Sequence, residues 1–217
     1  MNNLNYFTKI LISALLLTPL LLGGCASRSD IDLQDINVSH VEQAKAWEMQ
    51  GKLAVKTRDD KFSTNLYWLH TPNRDQLRLT TMLGTTVMLL ERDEDGAQLM
   101  IDGNTYQHHD AEQLLKRLTG WSIPIEHLPL WITGQVASSD LVIRYDNNHR
   151  PIQVQSTMTQ TPWQVEFKSW QHQSGAQLPR LLELTRENIR LKMQINQWQA
   201  LTNSTPSSDN AGLSHDE

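Results

Sequence analysis

Residues 77–91 alternate twice with a period of two: Leu77, Leu79 and Thr81 against Arg78 and Thr80, then Thr86, Met88 and Leu90 against Val87 and Leu89. Successive side chains of a strand point to opposite faces, so the pattern predicts two strands. They are joined by Met82-Leu83-Gly84-Thr85, a turn in which Gly84 can supply the positive φ of a tight reversal. Two of its other residues are large and apolar. A Leu or Met left in water forgoes about 1.5–3 kcal/mol of burial, so this tip is expected to have something apolar to touch.

The same period runs through most of the chain. Gly51, Leu53 and Val55 share one face of a first strand, and after a turn at Asp59-Asp60 so do Phe62, Thr64, Leu66 and Trp68 in a second. Thr71-Pro72-Asn73 turns into the central pair, Asp93-Glu94-Asp95-Gly96 leaves it for a short strand over 98–102, and Asp102-Gly103-Asn104 is a further hairpin turn. Later strands are expected over 141–145 and 152–156 around Asp146-Asn147-Asn148, and at Trp163, Val165 and Phe167. A last pair runs from 182–186 through Glu187-Asn188 to Ile189, Leu191, Met193 and Ile195, which alternate with Arg190, Lys192 and Gln194.

Helical spacing interrupts this pattern. Ser39, with Glu42 at the capping-box position, is expected to cap a helix carrying Val41, Ala44 and Trp47, and Gly51 to end it or to start a strand. Asp110, with Gln113, caps a second helix that presents Leu114, Leu115 and Leu118 and stops at Gly120. Ile123-Pro124-Ile125 opens a third through Leu128 and Trp131 to Gly134. Adjacent apolar-faced helices within a β chain read as a lid over a curled antiparallel sheet, which can enclose a cavity. Trp68, Trp131 and Trp163 fall at inward positions, where they either fill the core or line such a cavity. With the lid residues Leu114, Leu118 and Leu128, they are the cavity-lining candidates.

The N-terminus changes the picture. Residues 1–24 carry one basic side chain, Lys9, no acid, and an apolar run over 10–22, the signature of a removable secretory signal. Leu22-Gly23-Gly24-Cys25 resembles the bacterial lipobox, which would make Cys25 the first mature residue and the site of lipidation. Cys25 is the single cysteine, so no disulfide or Cys-based metal site competes for it. Ala26 follows it, not the Asp that in many Gram-negative bacteria retains a lipoprotein in the inner membrane, so an outer-membrane destination follows by resemblance. Acyl chains at about 0.8 kcal/mol per buried CH₂ anchor without any spanning segment. The organisation expected is a signal over 1–24, a lipidated tether over 25–37, a binding domain over 38–200 and a disordered tail over 201–217.

Removing 24 of 217 residues leaves 193, enough for one domain, with 18 Lys and Arg against 24 Asp and Glu, a formal charge of −6. That balance, with no basic run, argues against nucleic acid and against attraction to anionic headgroups; membrane contact is expected to be apolar and covalent. No Gly-x-Ser-x-Gly elbow, His-Glu-x-x-His helix or phosphate loop occurs, so neither an enzyme nor a cofactor is expected. His108 and His109, adjacent on a strand, would face opposite ways.

Together, Cys25, Trp47 with Gly51, Trp68, the Leu83-Gly84 tip, Leu118-Thr119-Gly120 with Ile123-Pro124-Ile125, Leu128, Trp131 and Gly134, and the strand from Ile189 to Trp198 resemble the LolB family of outer-membrane lipoprotein receptors. The resemblance implies an unclosed antiparallel β-barrel with an α-helical lid and an apolar cavity. It implies a monomer on the periplasmic face of the outer membrane, taking acylated lipoproteins from a soluble periplasmic carrier of the same fold and inserting them into the inner leaflet. The family's protruding Leu serves the delivery step, and Leu83 matches it; members commonly have Pro before it, where this chain has Met82. Leu83 and Met82 are thus the membrane-insertion candidates. The rival reading is a structural lipoprotein that scaffolds another outer-membrane protein, with a packed core and the tip as a protein contact.

Overall fold

A computed structural model describes residues 32–157 and 161–203; Cys25, the signal and tether up to residue 31, and the tail from residue 204 lie outside the described residues. The fold belongs to one compact unit that begins at Leu33. In chain order its strands are β1 (Leu33–Ile36), β2 (Ala46–Lys56), β3 (Lys61–Thr71), β4 (Arg74–Thr80), β5 (Thr86–Asp93), β6 (Gly96–Ile101), β7 (Asn104–His108), β8 (Leu141–Tyr145), β9 (Pro151–Gln155), β10 (Gln164–Gln173), β11 (Ala176–Arg186) and β12 (Ile189–Asn203). Two helices, α1 (Ala111–Thr119) and α2 (Leu128–Ile132), lie between β7 and β8.

All pairings are antiparallel, in the order β7-β6-β5-β4-β3-β2-β12-β11-β10-β9-β8, with β1 added to β12. The edges β7 and β8 do not meet, and the chain that links them carries both helices. The barrel is therefore unclosed, with a helical lid. Alternation along each strand puts apolar side chains on one face, and these form one core with the helices. Antiparallel order also sorts the turns: residues 57–60, 81–85, 102–103 and 187–188 fall at one end of the sheet, and 72–73, 94–95 and 174–175 at the other.

Three expectations change. No helix follows Ser39: residues Val41–Gln43 make a single 3-10 turn in which the Ser39 N–H donates to Gln43 Oε1 at 2.9 Å, and Trp47 lies in β2. An 11-residue strand paired on both sides, to β3 and β12, outweighs the local capping signal. Gly51 accordingly sits inside β2, where a Cβ would stand 2.0 Å from the Gln194 carbonyl oxygen beside the bulge at Ile195/Gln197. Finally, Leu33–Ile36, expected as tether, pairs with 200–203, of which 201–203 had been assigned to the tail.

The β10–β11 hairpin extends further than the periodicity shows. A register shift between Phe167 and Trp170 breaks the alternation there, and Ser174-Gly175, with φ of 51° and 83°, makes the turn.

Candidate functional site

The tip is fixed by its backbone. Thr80 pairs with Thr86 while Leu79 pairs with Met88, so Val87 is the extra residue of a bulge. Beyond it the Thr81 N–H donates to the Thr85 carbonyl at 2.8 Å, the Gly84 N–H to the Thr81 carbonyl at 3.0 Å, and the Thr85 N–H to Thr81 Oγ1 at 3.2 Å. Gly84 adopts the positive φ, 87°. From β3, Thr64 Oγ1 donates to the Thr80 carbonyl at 2.6 Å and Asn65 Nδ2 to the Thr81 carbonyl at 3.1 Å. None of these bonds uses the side chains of Met82 and Leu83, which are 73% and 94% exposed. Hydrogen bonds thus hold the loop that presents Met82 and Leu83.

At the same end of the sheet the barrel is hollow. A cavity of about 330 Å³ lies between sheet and lid. β2 contributes Leu53 and Val55 to its wall, β3 Phe62 and Leu66, β4 Leu77 and Leu79, β5 Val87, Met88 and Leu90, and β12 Leu191 and Met193. The lid closes over these with Leu115, Leu118, Trp121, Ile123, Ile125 and Leu128. Asp102 and Thr119 are the polar residues of the wall. Leu79 and Val87 belong to the hairpin that ends in Leu83, so wall and tip are one element.

Of the six residues named from sequence, Leu118 and Leu128 line this cavity. The other four are fully buried elsewhere: Trp68 in the far half of β3, Leu114 and Trp131 on the lid helices, and Trp163 just before β10, beside Arg186. Trp68 packs on Trp47, with ring centroids 5.7 Å apart, and its Nε1 donates to Asp75 Oδ1 at 2.9 Å. Trp131 donates to Asp140 Oδ2 at 3.0 Å, Trp163 lies under the Arg186 guanidinium, and Leu114 is fully buried on α1, a helix that packs against β6 and β7. Trp47 and Trp68 plug the end away from the tip, and mostly aliphatic side chains leave room at the tip end.

The plug has a charged knot. The Asp75 carboxylate, almost wholly buried, accepts from Trp68, contacts His70 Nδ1 at 2.7 Å and takes two bonds from Arg92, at 3.0 and 2.5 Å. Burial alone would raise its pKa, but the bond and charge of His70, the Trp68 N–H and the Arg92 guanidinium together hold it below the usual carboxylate range. Arg92 also reaches Glu126 of the lid at 3.6 Å. On the outer face, burial and the neighbouring Glu48 push the Tyr67 hydroxyl up to about 12.

Sequence reasoning missed Phe62 and Trp121 as wall residues. Their rings stack at 5.4 Å and 18° between sheet and lid, and Phe62 is an exposed large apolar residue. Phe62 was legible as inward-facing, but which half of a strand borders empty space depends on the lid. His108 and His109, expected on opposite faces, stack at 4.2 Å, since β7 ends at His108 and the chain turns into the Asp110 cap. Among the described residues no group of three or more His, Cys, Asp or Glu is arranged to hold a metal, and no helix is long and apolar enough to cross a membrane.

Residues 45–198 match the family model described as "Outer membrane lipoprotein LolB". The chain belongs to the LolB family. Its relatives include the outer-membrane lipoprotein LolB of Shewanella woodyi, 57% identical over 97% of this chain and 99% of that one, and that of Shewanella loihica, 58% identical over 93% and 94%. Among solved structures, a LolA superfamily protein from Nitrosomonas europaea aligns over 72% of this chain and 86% of its own at 8% identity, with a TM-score of 0.47. LolB membership gives the chain a lipoprotein-localisation role at the outer membrane.

Proposed function

We propose that this chain is the outer-membrane receptor that takes acylated lipoproteins from a soluble, LolA-like periplasmic carrier into its apolar cavity and inserts them into the inner leaflet. The observation that carries this reading is the joining of two features in one hairpin: an apolar cavity wall at Leu79 and Val87, and a rigid tip that holds Leu83 and Met82 in solvent. A scaffold lipoprotein needs no such hollow. An acyl chain held against that wall is a few residues from side chains whose burial in a bilayer is worth about 1.5–3 kcal/mol each. That is enough to orient a monomer tethered through acylated Cys25, and too little to anchor it, so anchoring and insertion are separate functions.

Transfer of an acylated lipoprotein from the carrier of the same species to the purified protein, and on to liposomes, tests this. Wild type takes up and delivers. Leu83→Glu takes up without delivering, and Cys25→Ala loses the anchor while keeping uptake. If well-folded wild type takes up nothing, the receptor reading falls. Loss of uptake in Leu83→Glu would refute the separation of binding from insertion.

A further inference from the structure

Two rings stand where the sheet meets the lid at the cavity. Phe62 is the second residue of β3, at the end of the sheet that carries the tip, and Trp121 follows α1. Their stacked contact joins β3 to the segment that follows α1 across the hollow. Gly120 closes α1 at φ 78°, its N–H donating to the Lys116 carbonyl at 2.9 Å, and there is open space within 4 Å of where a Cβ would be, so little side-chain packing crowds the segment at that point. Trp121 itself is held there by its N–H bond to Thr119 Oγ1 at 3.2 Å and by Ser122, whose hydroxyl donates to Glu112.

The volume gives this contact a meaning. At roughly 30 Å³ per methylene, about the share of a water in the liquid, 330 Å³ takes on the order of eleven carbons. That is most of one long acyl chain, and far less than the two or three chains of a lipoprotein N-terminus. We propose that Phe62 and Trp121 determine how many acyl chains the cavity accepts: with the rings stacked it holds one, and further chains enter only when Trp121 swings away about Gly120. This rests on the receptor reading, since it assumes that acyl chains are what the cavity takes. It makes the ring pair the element that separates free fatty acids and single-chain lipids, most of whose one chain enters with the stack intact, from multiply acylated cargo, which must break the stack.

The experiment uses palmitate as the probe and the mature chain with Cys25→Ala, whose sheet, lid and cavity all lie within residues 33–203. Native mass spectrometry counts bound palmitate, and stopped-flow displacement of dansyl-undecanoate measures the uptake rate. Wild type and Trp121→Phe should bind one palmitate per chain. Trp121→Ala and Phe62→Ala should each bind two or more, and uptake should be about two- to tenfold faster in each, the factor expected for loss of one stacked aromatic pair. Near-ultraviolet circular dichroism confirms that each variant is folded. One palmitate bound by all four proteins at equal rates would overturn the proposal, as would a change in Trp121→Ala that Phe62→Ala does not share. Absence of palmitate from folded wild type would remove the receptor reading instead, and the proposal with it.

Discussion

Asp75 offers the strictest test of how the barrel is held together. Its side chain is 3% exposed and is the common acceptor for Trp68, His70 and Arg92. Asp75→Ala strands the Arg92 guanidinium and the Trp68 N–H, and breaking a buried ion pair from one side typically costs about 3–5 kcal/mol. Against a total stability of about 5–15 kcal/mol that is a large fraction, worth a fall in Tm of roughly 10–15 °C for a domain of this size. Urea unfolding at pH 7 should show a lower midpoint with an unchanged slope. The pH dependence makes the test specific. Because the folded pKa of Asp75 is lowered, its contribution is fully present above the unfolded value near 3.9 and is lost as pH falls through the folded value. The gap between wild type and Asp75→Asn should therefore be widest at neutral pH and close as wild type is protonated in acid. A gap of under about 1 kcal/mol at pH 7, or one that stays constant into acid, would refute this account of the knot.

Other substitutions test neighbouring links. Gly51→Ala places a methyl 2.0 Å from the Gln194 carbonyl and should destabilise by about 3 kcal/mol, read as a lower thermal midpoint, because β2 and β12 must part to admit it. Asp110→Ala removes the acceptor of the Gln113 N–H at 3.0 Å and should cost about 1 kcal/mol in urea, since it uncaps α1. Leu118→Glu sets a carboxylate in the wall of the cavity and should abolish dansyl-undecanoate binding at neutral pH while leaving far-ultraviolet circular dichroism unchanged.

Legibility in the sequence followed the range of the interactions. The hairpin of β4 and β5, the Asp110 cap and the Gly120 stop are set by residues within a few positions of one another, and all were visible as patterns. The tip was visible for a further reason: an apolar turn contradicts its own solvation. What failed was decided at long range. The capping signal at Ser39 lost to pairing between β2 and β12, some 150 residues apart in sequence. Leu33–Ile36 is polar enough to pass for a tether until β12 supplies a partner. In the site, period two identified which side chains face inward but not whether they meet other side chains or a void. Trp68 and Leu66 share a face of β3, yet Trp68 belongs to the plug and Leu66 to the cavity wall.

On the receptor reading, that division of each strand also sets the direction of transfer. No phosphate-binding loop is present to drive a cycle, so delivery must run down a gradient of acyl burial. A bilayer buries every methylene of a chain at about 0.8 kcal/mol each. A cavity that covers on the order of eleven of about sixteen leaves roughly five in water or under a loosened lid, a deficit near 4 kcal/mol per chain relative to the membrane. The aromatic plug is what keeps the fit incomplete: were Trp47 and Trp68 small, the hollow would run further down the barrel and hold its cargo more tightly. A binding site made deliberately shallow, beside a tip that reaches the better solvent, needs no other source of free energy.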